Sequence, residues 1–409
     1  MKIKDIGTVV TGKTPATSHA EFYDGDYMFV TPTELHGGYK VSSSEKTITD
    51  EGLKSIKSNT IDGISVLVGC IGWDMGNVAM CFEKCATNQQ INSVTKIRDC
   101  FNPYYLYYWL STKKDYLFSI ASVTRTPILS KGVFEEIEIP NTDRLEQDKI
   151  SKMLLLLDQK IEYNAAVNDN LQQQLRLLYD YWFNQFDFPN EEGKPYRASG
   201  GKMRYSHRLK RDIPEGWTEE SVICNSISAP IKPGVEPFST KIYLATADVS
   251  GTRLSAGSLI DYETREGRAN MQPTVSSVWF AKMKNSIKHL FLNREMNQLI
   301  DSTILSTGFC GLQCTEKSFE YIATFIEHSY FEDIKNILAH GATQESVNND
   351  DLLGLAMLVP TSEVLEMFHA KAKPLYAQIS QNICENQKLT EIRNWLLPML
   401  MNGQATISD

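Results

Sequence analysis

The stretch that decides the fold is "ISKMLLLLDQKIEYNAAVNDNLQQQLRLLYDYW", residues Ile150 to Trp182. Its apolar residues recur at alternating steps of four and three, and two asparagines fill the remaining positions: Ile150, Leu154, Leu157, Ile161, Asn164, Asn168, Leu171, Leu175, Leu178 and Trp182. Such heptad spacing is typical of a helix whose apolar seam packs against another helix. The stretch therefore predicts one long helix and a helical partner.

A second seam supplies that partner. It repeats the first at a displacement of 218 residues, with the asparagine pair in register: Phe368, Ala372, Leu375, Ile379, Asn382, Asn386, Leu389, Arg393, Leu396 and Leu400. The repeat predicts a tandem duplication in which each half is a globular region followed by a coiled-coil helix. Globular regions at opposite ends would require antiparallel helices, with facing asparagines that fix the register. The alternative is two unrelated amphipathic core helices.

The globular regions are predicted to be α+β. Alternating apolar residues in "ISVLVGCIGW" (Ile64–Trp73) and "SSVWFAKM" (Ser276–Met283) indicate short strands, while "PYYLYYWLSTKKDYLFSI" (Pro103–Ile120) and "EKSFEYIATFIEHSYFEDIKNIL" (Glu316–Leu338) indicate helices. We expect two such domains separated by two long antiparallel helices with pseudo-two-fold symmetry. The expected bounds are residues 1–140 and 217–360 for the domains, 141–187 and 361–409 for the helices, and 188–216 for a linker rich in Gly, Pro and Ser.

Composition narrows the class of protein. The longest apolar run, Met153 to Leu157, is far too short to span a membrane, and no signal peptide is evident, so a cytoplasmic protein is expected. The eight cysteines lack zinc spacing and are expected to be buried reduced thiols, with no metal site. The net charge of −9 argues against a chain that coats itself in nucleic acid and leaves only local basic patches for such contacts.

One motif suggests a nucleotide site. "GTVVTGKT", Gly7 to Thr14, matches the P-loop pattern, and "LLLLD", Leu154 to Asp158, resembles the strand that holds magnesium in such enzymes. The flanks argue against it, because no buried strand precedes Gly7 and Pro15 disfavours the helix that should follow. Leu154 to Asp158 also lies inside the predicted helix. We therefore expect no P-loop.

A second motif suggests a methyltransferase. "NPYY", Asn102 to Tyr105, is close to an adenine methyltransferase loop, yet Asn then Pro before an apolar helix is an ordinary N-cap and first-turn pair. The seven histidines show no catalytic spacing. No catalytic set of residues emerges from these motifs.

Several stretches resemble the specificity subunits of type I restriction-modification systems. They are "ATNQQINSV" (Ala86–Val94), "LDQKIEYN" (Leu157–Asn164), "LRLLYDYWFNQFDFP" (Leu175–Pro189), "GKPYRASGGKM" (Gly193–Met203) and "RDIPEGW" (Arg211–Trp217). The resemblance implies two target recognition domains that read a bipartite site on double-stranded DNA. It also implies a helical spacer that docks two methyltransferase subunits, and association with restriction (translocase) subunits.

The resemblance also carries expectations about chemistry. It implies that this chain binds no cofactor, whereas its methyltransferase partner uses S-adenosylmethionine and its restriction partner uses ATP and magnesium. The second domain lacks the "TNQQIN" form, so we expect it to belong to a different recognition subtype with its own half-site. The spacer and docking residues expected on the helices are Leu154, Leu157, Ile161, Asn164, Asn168, Leu171, Leu175, Leu375, Ile379, Asn382, Asn386 and Leu389.

Candidate DNA contacts lie on loops that carry hydrogen-bonding and basic side chains. The loops Gly12–Pro15, Thr31–Glu34, Trp73–Asn77, Asn88–Gln90 and Thr124–Thr126 offer the residue types that match base edges. The candidates are Lys13, Thr14, Thr31, Thr33, Trp73, Asn88, Gln89, Gln90 and Arg125, together with Lys282, Lys284 and Lys288 in the second domain and Arg204 and Arg208 in the linker. Gln89 and Gln90 could instead bond internal backbone groups, and the linker cluster could be a solvated loop.

Two other functions remain open at this point. One is a coiled-coil adaptor that does not bind DNA, which the acidic charge favours. The other is the P-loop NTPase, which the flanking residues disfavour.

Overall fold

The computed structural model describes residues 1–123, 125–342 and 344–407. The chain divides into two compact units, Met1–Gln159 with Leu389–Asp409, and Lys160–Lys388. They are called unit 1 and unit 2 below. Among the described residues, no helix combines the length and apolar character needed to cross a membrane.

Unit 1 contains two four-stranded sheets. One is antiparallel, in the order Thr8–Thr11, Ile91–Thr95, Ser65–Gly69, Val78–Cys81. The other has the order Lys46–Ile48, Tyr23–Val30, Cys85–Thr87, Thr60–Ile61, with a parallel central pair. Ser122–Val123 and Pro127–Ile128 form a small hairpin. The short α-helices are Ile3–Ile6, Asp50–Ser55, Pro103–Ser111, Lys114–Ser119 and Lys131–Glu135.

Unit 2 repeats this topology. Its antiparallel sheet has the order Ser228–Pro230, Phe309–Cys314, Ser277–Ala281, His289–Leu292, and its mixed sheet the order Ser258–Asp261, Thr240–Leu244, Thr303–Ser306, Ala269–Met271. Three strand pairs complete it: Met203–Ser206 with Arg211–Pro214, Thr218–Ser221 with Ala356–Val359, and Val249–Ser250 with Arg253–Leu254. The short helices are Asn297–Ser302, Phe319–Glu327, Ser329–Leu338 and Asn349–Leu352. Matching strand orders confirm the predicted duplication, and the α+β fold class is confirmed with it.

Both predicted long helices are present, at Arg144–Tyr179 and Ser362–Met401. The first continues into a π-helical turn at Asp180–Asn184. Every seam position predicted from the heptads is buried or half-buried, which confirms the seam on both helices. The alternative of two unrelated helices is wrong, because the seams face each other within each unit.

In unit 2 the helices are joined through the asparagines. Asn164 Nδ2 donates to Asn386 Oδ1 at 2.9 Å, and Asn382 Nδ2 donates to Asn168 Oδ1 at 2.8 Å. The residue number rises along one helix as it falls along the other, so the pair is antiparallel, as predicted.

In unit 1 the helices are joined by an ion pair. Arg393 Nη1 donates to Asp158 Oδ1 at 2.6 Å, and the hydroxyl of Tyr108 donates to Asp158 Oδ2 at 2.6 Å. The carboxylate is buried, and its presence raises the pKa of Arg393 against the opposing effect of burial. Asp158 is therefore a structural residue inside a helix and not a magnesium ligand at the end of a strand.

The segment that matched a P-loop has a different structure. Thr8–Thr11 is itself a strand, and the next helical element after it is the short turn at Ala20–Phe22. Since this segment is a strand and does not lead directly into a helix, it does not have the structure by which a P-loop binds phosphate. Asn102 is an N-cap, as predicted, since its Oδ1 accepts from the amides of Tyr104 and Tyr105 at 2.8 and 3.2 Å.

Residues 188–216, which were expected to form a linker, include the hairpin of Met203–Ser206 and Arg211–Pro214. The ring of Phe188 stacks on Trp217 at 5.3 Å between centroids, and Trp217 also packs on Phe186 at 5.6 Å. The segment is thus folded around an aromatic cluster of unit 2.

Each unit contains a capped turn after a strand of its mixed sheet. In unit 1 the amide of Thr31 donates to Glu34 Oε2 at 2.7 Å, and in unit 2 the amide of Ala245 donates to Asp248 Oδ2 at 2.8 Å. In each case an acid three residues along the chain satisfies an amide that the 3₁₀ turn leaves unpaired.

Candidate nucleic-acid interface

The loop Gly12–Pro15 lies directly against the turn that follows strand Cys85–Thr87. The amide of Lys13 donates to the carbonyl oxygen of Thr87 at 2.9 Å. Only glycine fits at position 12, because a Cβ there would lie 2.0 Å from the carbonyl oxygen of Asn88. The close approach of two backbones thus places Lys13 beside the Asn88–Gln90 turn.

The polar side chains of these two loops bond to one another. Thr14 Oγ1 donates to Gln89 Oε1 at 2.9 Å, and Asn88 Nδ2 donates to Gln90 Oε1 at 2.9 Å. Asn88 Oδ1 also accepts from the amide of Gln90 at 3.0 Å. Asn88 and Gln90 therefore stabilise the turn by bonding to each other. Gln89 is exposed and its amide nitrogen can still donate outward.

Backbone hydrogen bonds bring the other candidate loops of unit 1 to the same place. They join Asn88 to Val30 at 3.0 Å, Cys70 to Gln90 at 2.7 Å, and Gly72 to Pro127 at 3.0 Å. We call this set the first rim: loops Gly12–Pro15, Thr31–Glu34, Trp73–Asn77 and Asn88–Gln90, with Arg125. Thr124 lies outside the described residues.

Exposure separates the first-rim candidates into two groups. Lys13, Thr33, Trp73, Gln89 and Arg125 are exposed, with Trp73 at 70 %. Thr14, Thr31, Asn88 and Gln90 are half-buried. The hydroxyl of Thr31 donates to Glu34 at 2.7 Å. Burial of Glu34 opposes ionisation, yet the hydrogen bonds it accepts hold its pKa below the usual range. The exposed group is therefore the one able to reach a ligand.

The loop that carries Trp73 is held by a lysine. Lys114 Nζ donates to Asp74 Oδ1 at 2.8 Å and to Asn77 Oδ1 at 3.0 Å. The bond from Lys114 is the main cause of a lowered pKa at Asp74, to which His36 also contributes at 3.0 Å. The loop is thus fixed by charge pairs on the surface.

Unit 2 has a corresponding second rim. The loop Lys282–Lys288 joins the same two strands of its sheet as the Trp73 loop does in unit 1. The amide of Lys282 donates to Gly308 at 2.9 Å and that of Thr307 to Arg268 at 2.8 Å. A Cβ on Gly308 would lie 3.1 Å from Thr246 Cγ2. The second rim comprises Lys282–Lys288, Thr307–Gly308, Arg268 and Thr246.

The three lysines predicted there have different surroundings. Lys284 Nζ pairs with Glu345 Oε2 at 2.8 Å, while Lys282 and Lys288 are half-buried at the two ends of the loop. Lys284 therefore has a competing partner within the chain.

Arg204 and Arg208 lie in the folded hairpin segment. Arg204 Nη2 donates to the carbonyl oxygen of Trp217 at 2.5 Å, and Arg208 donates to the carbonyl oxygens of Glu219 and Leu353, both at 3.5 Å. These contacts hold the hairpin to neighbouring strands, and none of them joins the second rim.

Sequence reasoning missed several residues of the second rim and of the helix pair. Thr246, Arg268 and Thr307 were not predicted because "LSTGFCGLQ" (Leu305–Gln313) differs from "ATNQQINSV", although each stretch spans the corresponding two consecutive strands of its unit. The pairing of Asp158 with Arg393 was not predicted, because Asp158 lies beside the seam. The signal for it was Arg393, a cation in an apolar seam that needs a buried acid opposite.

The arrangement of polar and basic side chains at the two rims indicates a class of protein. Each unit gathers hydroxyl, amide and basic side chains of separate loops at one rim, an arrangement typical of proteins that read base edges and phosphates. Within the described residues, no three histidine, cysteine or acidic side chains are grouped to hold a metal.

The sequence is similar to known specificity subunits. Residues 1–173 match the family model described as "Type I restriction modification DNA specificity domain". The MjaIX specificity subunit of Methanocaldococcus jannaschii is 26 % identical over 431 residues, covering 100 % of this chain and 93 % of the relative. The HindI specificity subunit of Haemophilus influenzae is 21 % identical over 312 residues, covering 64 % and 68 %.

A solved structure shares the fold. The crystal structure of a type I restriction-modification S subunit from M. genitalium aligns over 98 % of this chain and 95 % of its own, with a TM-score of 0.52 and 15 % identity. The sequence matches and the shared fold make this chain similar to the specificity subunits of type I restriction-modification systems.

Proposed function

We propose that this chain reads a bipartite site on double-stranded DNA, with the first rim contacting one half-site and the second rim the other. The observation that carries the proposal is the convergence of separate loops at one rim in each unit. Each rim lies on one copy of a repeated fold. The chain therefore offers two similar surfaces, which suits two short half-sites with unread bases between them.

The first rim offers distinct types of contact. Gln89 can donate to a base edge while Thr14 holds its oxygen, and Arg125 can bond guanine or phosphate. Lys13 is exposed and suits a phosphate. Trp73 can pack on a sugar or an unstacked base. The proposal therefore assigns base reading to Gln89 and Arg125, and orientation on the duplex to Lys13 and Trp73.

Two apolar stripes on the long helices suit partner subunits. In unit 1, Leu156 is 57 % and Trp395 64 % exposed, beside the half-exposed Met153 and Ile392. In unit 2, Tyr163 and Leu177 are 67 % and 70 % exposed, beside Val167 and Tyr181. Exposed apolar side chains three or four residues apart on a helix lie on one face, and such faces are suited to interaction with another protein. We propose that each stripe docks one methyltransferase subunit, and that restriction subunits join the same assembly.

We further propose that the chain itself is non-catalytic and cytoplasmic and binds no cofactor. S-adenosylmethionine would then be held by the methyltransferase partners, and ATP with magnesium by the restriction partners. The family resemblance supports this division of labour.

Mapping of methylated bases tests the proposal. The chain should be co-expressed with its methyltransferase partner, and the modified sites should be sequenced before and after residues 1–140 are exchanged for those of another family member. We expect a two-part site in which only one half changes on exchange. A single undivided site, or a change in both halves, would contradict the assignment of one rim to each half-site.

The alternative function is a coiled-coil adaptor that does not bind DNA. The net charge of −9 and the exposed apolar stripes favour it. Gel-shift titration of the purified complex against random and mapped DNA separates the two, because an adaptor would show no preference for the mapped sequence.

A further inference from the structure

A buried lysine lies beneath the second rim. The side chain of Lys335, on helix Ser329–Leu338, has no exposed surface. Its Nζ donates to the carbonyl oxygen of Ala281 at 3.2 Å and to that of Ser286 at 3.0 Å. One ammonium thus binds the end of a strand and the middle of the Lys282–Lys288 loop.

The charge of this lysine is balanced inside the unit. Nζ also donates to Glu332 Oε1 at 2.9 Å, and His289 Nε2 lies 2.9 Å from the same oxygen. Burial lowers the pKa of Lys335, while Glu332 opposes that effect by pairing with the charged form. Burying an ammonium is unfavourable unless its donors are satisfied, and here three acceptors satisfy them.

Further contacts fix the outer side of the same loop. The amide of Asn285, a residue with φ of +56°, donates to Asn336 Oδ1 at 2.8 Å. The amide of Lys284 donates to the carbonyl oxygen of Glu345 at 3.0 Å. The loop is therefore held from below by Lys335 and from the side by Asn336 and Glu345.

In unit 1 a lysine also holds the equivalent loop. Lys114 begins the helix Lys114–Ser119, the second short helix after the antiparallel sheet, as Ser329–Leu338 is in unit 2. Its aliphatic chain lies against Gly76, where a Cβ would be 2.8 Å from Lys114 Cγ, and its Nζ binds Asp74 and Asn77. A lysine from the same helix of the repeat thus fixes the corresponding loop in both units.

We infer that Lys114 and Lys335 are positioning residues, each of which holds the recognition loop of its own unit in the shape that contacts one half-site. This inference rests on the proposed function. Lys335 acts through backbone carbonyls and fixes Lys282 and Lys288. Lys114 acts through side chains and fixes Trp73.

The test uses the full chain in complex with its methyltransferase partner. The double variant Glu332→Gln with Lys335→Met removes the pair without leaving an unpaired buried charge. We expect about tenfold weaker binding of DNA at the second half-site, and a salt slope smaller by about one, because a phosphate contact is lost. The first half-site should be unaffected, and Lys114→Met should give the reverse pattern with a severalfold loss.

The matched control is the double variant Lys317→Met with Glu366→Gln, which removes an exposed ion pair in the same unit. A merely structural role would weaken both half-sites equally and leave the salt slope unchanged. That result would overturn the inference, as would unchanged binding in both loop variants.

A second variant keeps the inference testable if the double variant does not fold. Asn336 is half-buried, so Asn336→Ala should fold and should weaken the second half-site in the same direction. An unaffected second half-site in this variant, together with an unfolded double variant, would also overturn the inference. A wild-type complex with no two-part site would overturn the proposed function itself.

Discussion

Asn168 and Asn382 form a side-chain hydrogen bond of 2.8 Å in a seam that is otherwise mostly apolar, and both residues are buried. Asn168 Nδ2 also reaches the carbonyl oxygen of Ile379 at 3.5 Å. Amides in such a seam lower stability relative to leucine, but they bond only when they face each other. The pair therefore selects one antiparallel register of the helices.

The first prediction concerns this pair. Asn168→Leu leaves the amide of Asn382 buried without its partner and should lower the free energy of unfolding by about 1–3 kcal/mol. Changing both residues to leucine should restore or exceed the original stability. Chemical denaturation of the three proteins checks this, and a single variant as stable as the double variant would contradict it.

The second prediction concerns the buried ion pair of unit 1. Arg393→Met leaves the carboxylate of Asp158 with the hydroxyl of Tyr108 and should cost about 3–5 kcal/mol, since a buried charge loses its counterion. Lys131→Met, which removes an exposed partner of Glu135 in the same unit, should cost no more than about 1 kcal/mol. Equal shifts in the thermal midpoints of the two variants would be inconsistent with a buried pair.

The third prediction is a pH dependence. Burial raises the pKa of Glu327, and the charge of Arg176 only partly opposes the effect. A carboxyl with a raised pKa binds its proton more tightly in the folded chain. Stability is therefore lost as pH rises from the ordinary glutamate value through the folded one. Glu327→Gln should remove that loss, so the stability difference between wild type and variant should change with pH across this window. A constant difference from pH 4 to pH 8, measured by chemical denaturation, would exclude the effect.

The fourth prediction concerns the backbone contact of the first rim. Gly12→Ala places a methyl group 2.0 Å from the carbonyl oxygen of Asn88 and must push the Gly12–Pro15 loop away from the Asn88–Gln90 turn. We expect the first half-site to lose roughly tenfold or more in affinity, because base contacts depend on this placement. The control is Gly132→Ala, where the added carbon meets open space. Methylation mapping and binding titration of both variants would show whether they differ.

The parts of the fold that sequence could predict are those governed by local periodicity. The heptads of Ile150–Trp182 and their repeat predicted the two long helices, and Asn102 predicted the start of the helix Pro103–Ser111. Both patterns depend on residues only a few positions apart. The first-rim loops were found through their residue types. Lys335 could not be found in this way, since its three acceptors come from two separate segments and its burial depends on tertiary packing. The same holds for Arg268 and Thr307, which only the strand order relates to unit 1.

The capped turns at Thr31–Glu34 and Ala245–Asp248 each contain their own acid. The acid that caps each turn comes from the turn itself, so each turn can be reshaped by mutations within its own unit. If each rim reads one half-site, as proposed, gene duplication followed by unequal divergence can alter one half of the recognised sequence at a time. A lineage could acquire a new modification pattern in single steps, and each intermediate would keep one half of its former specificity.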